Sequence, residues 1–408
     1  MTKTILSVKY PAAGKCLLKL TLSERVCKME KVINIAVIGA GLRSRVVVNA
    51  LLACGRKNIN IVSIFDPDKE RAEELKNIWV QPDAVITDSA EETVKCDGVE
   101  WVMVFSPNAF HREHIEMSFA AGKHVFSEKP LATTIEDCQA INDAHSRSGK
   151  LFATGFVLRY SPLYVKVKEL LDSGKFGSVM SIEANENIAP GHGGYIMTNW
   201  RRLSKLSGPH ILEKCCHDLD LLNWFIGSLP CKTASFGGLN FYLPENDYLR
   251  IEHTKSDGTG PFNYYPDPNA VESPFTCDKD IVDNQVIILE YRNGVRATFH
   301  TSMSNPIPER RMYISGSEGT LVLSYGKISV RRIGEEAVRY YDLEITDGHA
   351  GGDQVIMDEF YKAMMGELPP KSTGLEGLES AVIALSIDKA QRSNTVVDIE
   401  SIWQKLGH

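Results

Sequence analysis

Short, nearly continuous apolar runs rich in β-branched residues alternate with amphipathic stretches over the first third of the chain. Ile33 to Ile38 and Ile59 to Phe65 have the composition of strands buried on both faces of a parallel sheet. Residues 45 to 54 between them carry a helical apolar period, completing a β-α-β unit. The alternation continues with a helix near 68 to 77, a strand over Trp101 to Phe105 and a helix near 109 to 121. A strand over His124 to Phe126, a helix near 134 to 148 and a strand over Leu151 to Thr154 follow. Strands alternating with helices predict a doubly wound parallel sheet.

After about residue 155 the rhythm changes. A helix near 162 to 173 and a strand over Val179 to Ala184 lead into consecutive strands. Asn293-Gly294 between Gln285 to Tyr291 and Val295 to Thr301 predicts a hairpin. Met312 to Ser315 and Thr320 to Leu323 flank the turn SGSEG, Ile328 to Arg332 adds a strand, and helices near 353 to 365 and 376 to 391 close the chain. The fold class is therefore α/β, with a doubly wound domain over 29–155 and an α+β domain with a mostly antiparallel open sheet over 156–408. Residues 1–28 are set aside as an N-terminal tail, and 243–283, rich in Pro, Asp, Asn and Tyr, reads as a long functional loop or an insertion.

Composition narrows the partners. The 408 residues are 43% hydrophobic and 24% charged, and no uninterrupted apolar run approaches the roughly 20 residues of a membrane span. Lys plus Arg number 45 against 52 Asp plus Glu, a net charge of -7 with no single-sign block, which argues against nucleic acid and for a small-molecule partner. None of the nine cysteines forms a CxxC, so neither a zinc site nor a disulfide framework is expected, and free thiols fit a reducing cytoplasm. His111 to His114 reads HREH rather than HExxH, and no metal is expected.

Gly39-Ala40-Gly41 ends the first strand and opens the first helix through Leu42 and Arg43, where backbone amides can receive a pyrophosphate. Ser44 stands where the third glycine of GxGxxG would be. Asp66, ending the second strand, is placed to accept ribose hydroxyls and to repel a 2′-phosphate, which favours NAD over NADP. The competing reading is a tight turn with a capping Asp.

Ser106-Pro107-Asn108 through His111, and Ser127-Glu128-Lys129-Pro130 after the next strand, join this turn in order. Together these residues resemble the Gfo/Idh/MocA oxidoreductase family, named for glucose-fructose oxidoreductase and inositol dehydrogenase, from Met29 onwards. The resemblance implies a Rossmann domain whose cofactor contacts include Ser106, Pro107, Asn108, His111, Glu128 and Lys129. It also implies a cis Lys129–Pro130 bond that aims the lysine into the cleft. There the ammonium would stabilise charge as an alcohol loses its proton.

Within ILEKCCHDLDLLNWF, spacings of four and three put Glu213, His217 and Asp220 on one helical face. The resemblance implies that His217 is the general base and that Glu213, where relatives often carry Asp, orients it or touches substrate. A buried His–carboxylate network is the competing reading for Glu213 and Asp220. Arg159 in FVLRYSPLY would touch cofactor or substrate, with an interdomain ion pair as the alternative, and Trp200-Arg201 resembles a segment near the nicotinamide. His192-Gly193-Gly194 and His349 to Asp353 read as flexible loops able to close on a hydroxylated substrate.

The leading expectation is an NAD-dependent oxidoreductase of sugars, polyols or sugar derivatives. A redox-neutral NAD-dependent glycosidase of the same family is the first rival, and a non-catalytic NAD- and sugar-binding regulator the second. Family resemblance also implies a homo-oligomer assembled through the open sheet.

Overall fold

The computed structural model describes residues 31–262 and 270–408. The proposed tail over 1–28 lies outside these residues, as does 263–269 of the irregular segment. The first unit is built from β1 (Ile33–Ile38), α1 (Leu42–Gly55), β2 (Ile59–Phe65), α2 (Lys69–Trp79), β3 (Val85–Ile86), α3 (Ala90–Lys95), β4 (Trp101–Val104), α4 (His111–Ala120), β5 (His124–Ser127), α5 (Ile135–Ser148) and β6 (Phe152–Thr154). Its six strands run parallel in the order β3-β2-β1-β4-β5-β6. The order reverses between β1 and β4, and the crevice above that reversal is where such sheets take ligands. Every residue of β4 is buried, as its unbroken apolar run WVMV requires.

Polar residues mark the helix starts. Asp68 caps α2 through the Glu70 and Arg71 amides, Ser89 caps α3 through Glu92, and Thr134 caps α5 through Asp137. The short β3 and α3 went unread in the sequence because neither is long enough to show a period.

The second half runs α6 (Pro162–Asp172), β7 (Val179–Asn187), α7 (Pro190–Thr198), α8 (Ser204–Ser207), α9 (His210–Glu213), α10 (Cys216–Ile226), β8 (Pro230–Gly238) and α11 (Asp247–His253). It continues through β9 (Asn284–Tyr291), β10 (Arg296–Ser302), β11 (Glu309–Gly316), β12 (Gly319–Ser324), β13 (Lys327–Arg332), β14 (Arg339–Asp342), α12 (Gly352–Met364), α13 (Gly374–Ser393), β15 (Val397–Asp398) and α14 (Glu400–Leu406). Nine strands form one sheet, β14-β13-β12-β11-β7-β10-β9-β8-β15, antiparallel except where β10 runs parallel to β7. The expected hairpin at Asn293-Gly294 joins β9 and β10. Alternating burial along β9 and β10 turns one face of the sheet to the core and leaves the other open.

After this sheet the chain returns to the first one. Phe360 of α12 packs edge-on against Trp101, with ring centroids 5.0 Å apart, and tilts against Phe126. Thr373 and Glu376 close a capping box on α13, which lies over β8, α10 and α5. One hydrophobic core therefore runs through both layers, from Ile35 and Val102 to Phe299 and Ile383.

The segment read as an irregular loop or insertion has a core of its own. Tyr242, Phe262, Phe275 and Ile281 pack with Ile188, Ile196, Met197 and Met303. His192-Gly193-Gly194 departs from the expected loop and lies in helix α7. Pro190 sits at its first turn, where a proline costs nothing. A Cβ on Gly193 would come within 2.1 Å of the Met303 carbonyl oxygen, and one on Gly194 within 2.2 Å of that of Phe262. The glycines serve close packing rather than mobility.

Candidate active site

The glycine turn supplies the first wall. Gly39 has φ +97, and a Cβ there would lie 2.7 Å from the Phe105 carbonyl carbon, so β1 passes β4 too closely for any side chain. A Cβ on Gly41 would meet nothing within 4 Å, and no side chain caps α1 at that position. An open approach to uncapped helix amides suits a phosphate. Ser44 is fully buried, and its hydroxyl folds back onto the Gly41 carbonyl at 2.7 Å, which explains how a serine fits the third glycine's position. Asp66 accepts the Ala40 amide at 2.7 Å and the Asp68 amide at 2.9 Å, so it ties β2 to the turn while each oxygen keeps a lone pair for a ribose hydroxyl. Leu42 stands half-exposed at the start of α1.

Lys129 follows β5 and its bond to Pro130 is cis, as the resemblance implied. Its Nζ donates to the Glu213 carbonyl at 2.7 Å and lies 4.0 Å from the Glu213 carboxylate. Arg201 donates to the same carboxylate at 2.9 Å, stacks on Trp200 at 4.3 Å, and is itself held by the Tyr195 hydroxyl and Asn199. Burial alone would raise the Glu213 pKa, but Lys129 and then Arg201 overcome it and hold the carboxyl at about 2. His217 is 3% exposed, and its Nδ1 is buried without a partner. Burial, and after it the charge of Lys129, drives its pKa well below the usual histidine range, leaving a neutral ring.

Several expected contacts differ. Glu213, His217 and Asp220 do not share one helix face, because α9 stops at Glu213 and α10 starts at Cys216. The apolar period runs unbroken through this kink, so spacing alone concealed it. Asp220 turns away to a bidentate pair with Arg159, both contacts 2.7 Å, with Glu376 beside them at 3.5 Å. Burial pushes Asp220 up to about 6 despite Arg159. This ion pair ties the turn over 157–160 to α10 and α13 within the second half of the chain.

His111 and Asn108 also face protein. The ring nitrogens of His111 lie 2.8 and 2.9 Å from the Pro130 and Ser106 carbonyl oxygens, so it staples the two turns that follow β4 and β5. Asn108 donates to Ser207 at 2.8 Å. Ser106 meets His114 Nδ1 at 2.9 Å, and Pro107 leads into a 3-10 turn over Asn108–Phe110. Arg43 reaches Glu128 at 2.6 Å and Asp353 at 2.7 Å, while Glu128 also accepts the Lys129 amide. These two expected cofactor residues thus lock the glycine turn to the lysine turn. His192, on α7, has its pKa pushed down to about 2 by burial and by Lys214.

Sequence reasoning missed a buried network behind the site. Arg310 grips Asp218 through two bonds of 2.8 and 2.7 Å and Glu186 at 2.7 Å, and Lys214 meets Glu186 at 3.2 Å. The only local signal was charge at inward positions of β7 and α10. Asp347, His349 and Asp353 bring ligand-type atoms within 4.8 Å of one another. Arg43 occupies Asp353, and the amides of His349, Gly351 and Asp353 occupy Asp347, so these oxygens are already engaged.

A parallel sheet with a phosphate-ready turn at its reversal is the arrangement of a dinucleotide-binding domain, and here a lysine and a neutral histidine stand beside it. Comparison with known proteins narrows this. A family profile described as an oxidoreductase family NAD-binding Rossmann fold matches residues 33–156, and its C-terminal alpha/beta domain matches 168–399. The chain belongs to the Gfo/Idh/MocA oxidoreductase family.

It is 24% identical over 403 residues to the putative oxidoreductase YteT of Bacillus subtilis, covering 86% of this chain and 94% of that one. With an inositol 2-dehydrogenase of Gluconacetobacter diazotrophicus it shares 34% identity over 170 residues, 41% of this chain and 46% of the enzyme, so that match spans under half of the relative. A levoglucosan dehydrogenase solved with NADH and levoglucosan superposes with a TM-score of 0.72 at 16% identity, covering 90% of this chain and 100% of that one. The WlbA dehydrogenase of Bordetella pertussis, with NADH and UDP-GlcNAcA, gives 0.70 at 18% identity over 90% and 98% of the two chains. At these identities the superpositions establish the fold. Among the described residues no helix is long and apolar enough to cross a membrane.

Proposed function

We propose that the protein is an NAD-dependent dehydrogenase that moves a hydride between a hydroxyl-bearing carbon of a sugar, polyol or sugar derivative and nicotinamide. The observation that carries this reading is the Lys129 ammonium, fixed 2.7 Å from the Glu213 carbonyl just before the helix that bears His217. An ammonium has three donors, so with one given to Glu213 others remain for a substrate oxygen. Its charge favours loss of the hydroxyl proton, and the neutral His217 accepts that proton. Glu213 and Arg201 keep the lysine in place.

When bound, the dinucleotide supplies the hydride acceptor. Gly39, Gly41, Asp66 and Ser106 would hold it, and the Asp66 carboxylate favours NAD because it repels a 2′-phosphate. Relatives named for inositol and levoglucosan support the substrate class. The same reading extends to a cytoplasmic homo-oligomer. Unpaired thiols among the described cysteines support the compartment, and Phe236, Val286 and Ile288, 70%, 48% and 53% exposed on β8 and β9, support the assembly.

The test is incubation with NAD and a panel of sugars, polyols and glycosides, following nicotinamide absorbance and product mass together. Net NADH with a product two hydrogens lighter is the expected result. Bond cleavage without net NADH overturns it in favour of the glycosidase, and NAD binding without turnover of any compound points to the regulator.

A further inference from the structure

A proton accepted by His217 must leave before the next turnover, yet the ring is almost entirely buried. One of its aromatic neighbours, Phe156 with ring centroids 5.9 Å away, is apolar and can carry no proton. Another is His349, whose ring lies 5.8 Å away at 62° and whose side chain is 26% exposed. His349 therefore stands between the buried imidazole and solvent.

Its position is fixed from several sides. Nδ1 lies 2.8 Å from Asp353, and the second Asp353 oxygen takes Arg43 at 2.7 Å. Asp347 accepts the backbone amides of His349, Gly351 and Asp353. The Ser161 hydroxyl donates to the Ala350 carbonyl at 2.7 Å, and a Cβ on Gly352 would come 2.7 Å from the Val157 carbonyl oxygen. Ala350 adopts φ +54, a left-handed conformation that non-glycine residues rarely take.

We propose that His349, oriented by Asp353, is the relay that carries protons between His217 and solvent. The inference rests on the dehydrogenase reading given above. With its Nδ1–H donated to Asp353, His349 offers Nε2 as the acceptor. The substrate hydroxyl proton passes to His217, one proton passes from His217 through a bridging water to His349 Nε2, and His349 releases it to bulk solvent. No electrons move along this route. The electron pair leaves the substrate carbon with the hydride.

The charges facing His349 are Asp353 and Asp347 from its own loop, Arg43 from α1, Lys214 from the link before α10, and His217 itself. Burial lowers the pKa of both imidazoles. At His349 the Asp353 hydrogen bond opposes burial, whereas at His217 the nearby charge of Lys129 adds to it, so protons run downhill outward.

The test uses His349→Ala, with His349→Gln as a second variant in case the first fails to fold. Steady-state turnover of the best panel substrate should fall about 100-fold, the lower end of the range for acid–base groups. It should become buffer-dependent and recover on adding free imidazole, while hydride transfer in the first turnover persists. A turnover loss that imidazole does not rescue, or no loss, overturns the proposal. If no panel compound is oxidised, 15N-histidine titration of the cofactor-free protein still decides. Protonation of His349 should perturb the His217 signals and Asp353→Asn should weaken His349 as a base, whereas His217 signals indifferent to His349 overturn the relay.

Discussion

Glu213 is held between two cations, and that arrangement sets its pH behaviour. Its folded pKa of about 2 lies below that of an unfolded glutamate, so its contribution to stability is complete above the unfolded value and fades as pH falls towards 2. Glu213→Gln, leaving Lys129 and Arg201 without their anion, should cost about 3 kcal/mol at pH 7. Urea unfolding should find that gap closing between about pH 4 and pH 2, and a constant gap would contradict the pairing. Lys129→Met tests the chemistry. Removing one aimed donor typically lowers kcat about 10²- to 10³-fold, and NADH binding measured by fluorescence should stay intact. Lys129, Gly39 and Asp66 were legible in the sequence because each lies at the end of an apolar run that identifies itself as a strand. His111 and Asn108 bond protein carbonyls in the fold, a role the sequence spells the same way as one facing a ligand. Arg310 was invisible because its partners Asp218 and Glu186 lie far away in sequence and meet it only in the fold.

At the scale of elements, α7 shows how the segment over 243–283 acts on the site. Cys277 Sγ meets the Met197 carbonyl at 3.0 Å and the Val271 amide donates to that of Thr198 at 2.9 Å, so the irregular segment caps the end of α7. The Tyr242 hydroxyl lies 2.9 Å from the Pro190 carbonyl oxygen at the other end. The helix held this way carries Tyr195, which steadies Arg201 and through it Glu213. Gly193→Ala is the direct probe. Helix propensity favours alanine by about 1 kcal/mol, but a Cβ pressed on the Met303 backbone cannot be accommodated by a rotamer change. A net loss of about 1–3 kcal/mol in urea unfolding is expected, together with a raised KM as Tyr195 moves off Arg201. A stabilised variant would mean that α7 does not pack tightly on the Met303 backbone. The sequence concealed this helix because glycines chosen for close packing look like glycines chosen for mobility.

For the whole molecule, the alternation of strands and helices made the parallel sheet legible, and the Asn-Gly turn revealed the change to antiparallel pairing. The return of α12 to the first sheet was not legible, because an amphipathic helix does not state which layer it will cover. The open face is a matter of the same scale. Phe236 and Val286 are register partners, as are Ala234 and Ile288, so the exposed apolar side chains form one patch across β8 and β9. Ile288→Lys should convert an oligomer to a monomer in light scattering without lowering the unfolding midpoint. An unchanged mass would place self-association elsewhere.

The bond between Arg43 and Asp353 spans 310 residues, and that between Cys54 and Asp358 spans 304. On the ribosome, at ~5–20 residues per second, the glycine turn therefore waits about 15 to 60 s for the helix that completes it. During that interval Trp101 and Phe126 lack the cover of Phe360, and the nascent first sheet is a natural client for chaperones. We expect chains stalled before α12 emerges to be cut readily by protease and chains stalled after it to resist. Equal resistance would mean that the first sheet matures alone. Birth order thus sets when the glycine turn is locked to α12: late, and all at once.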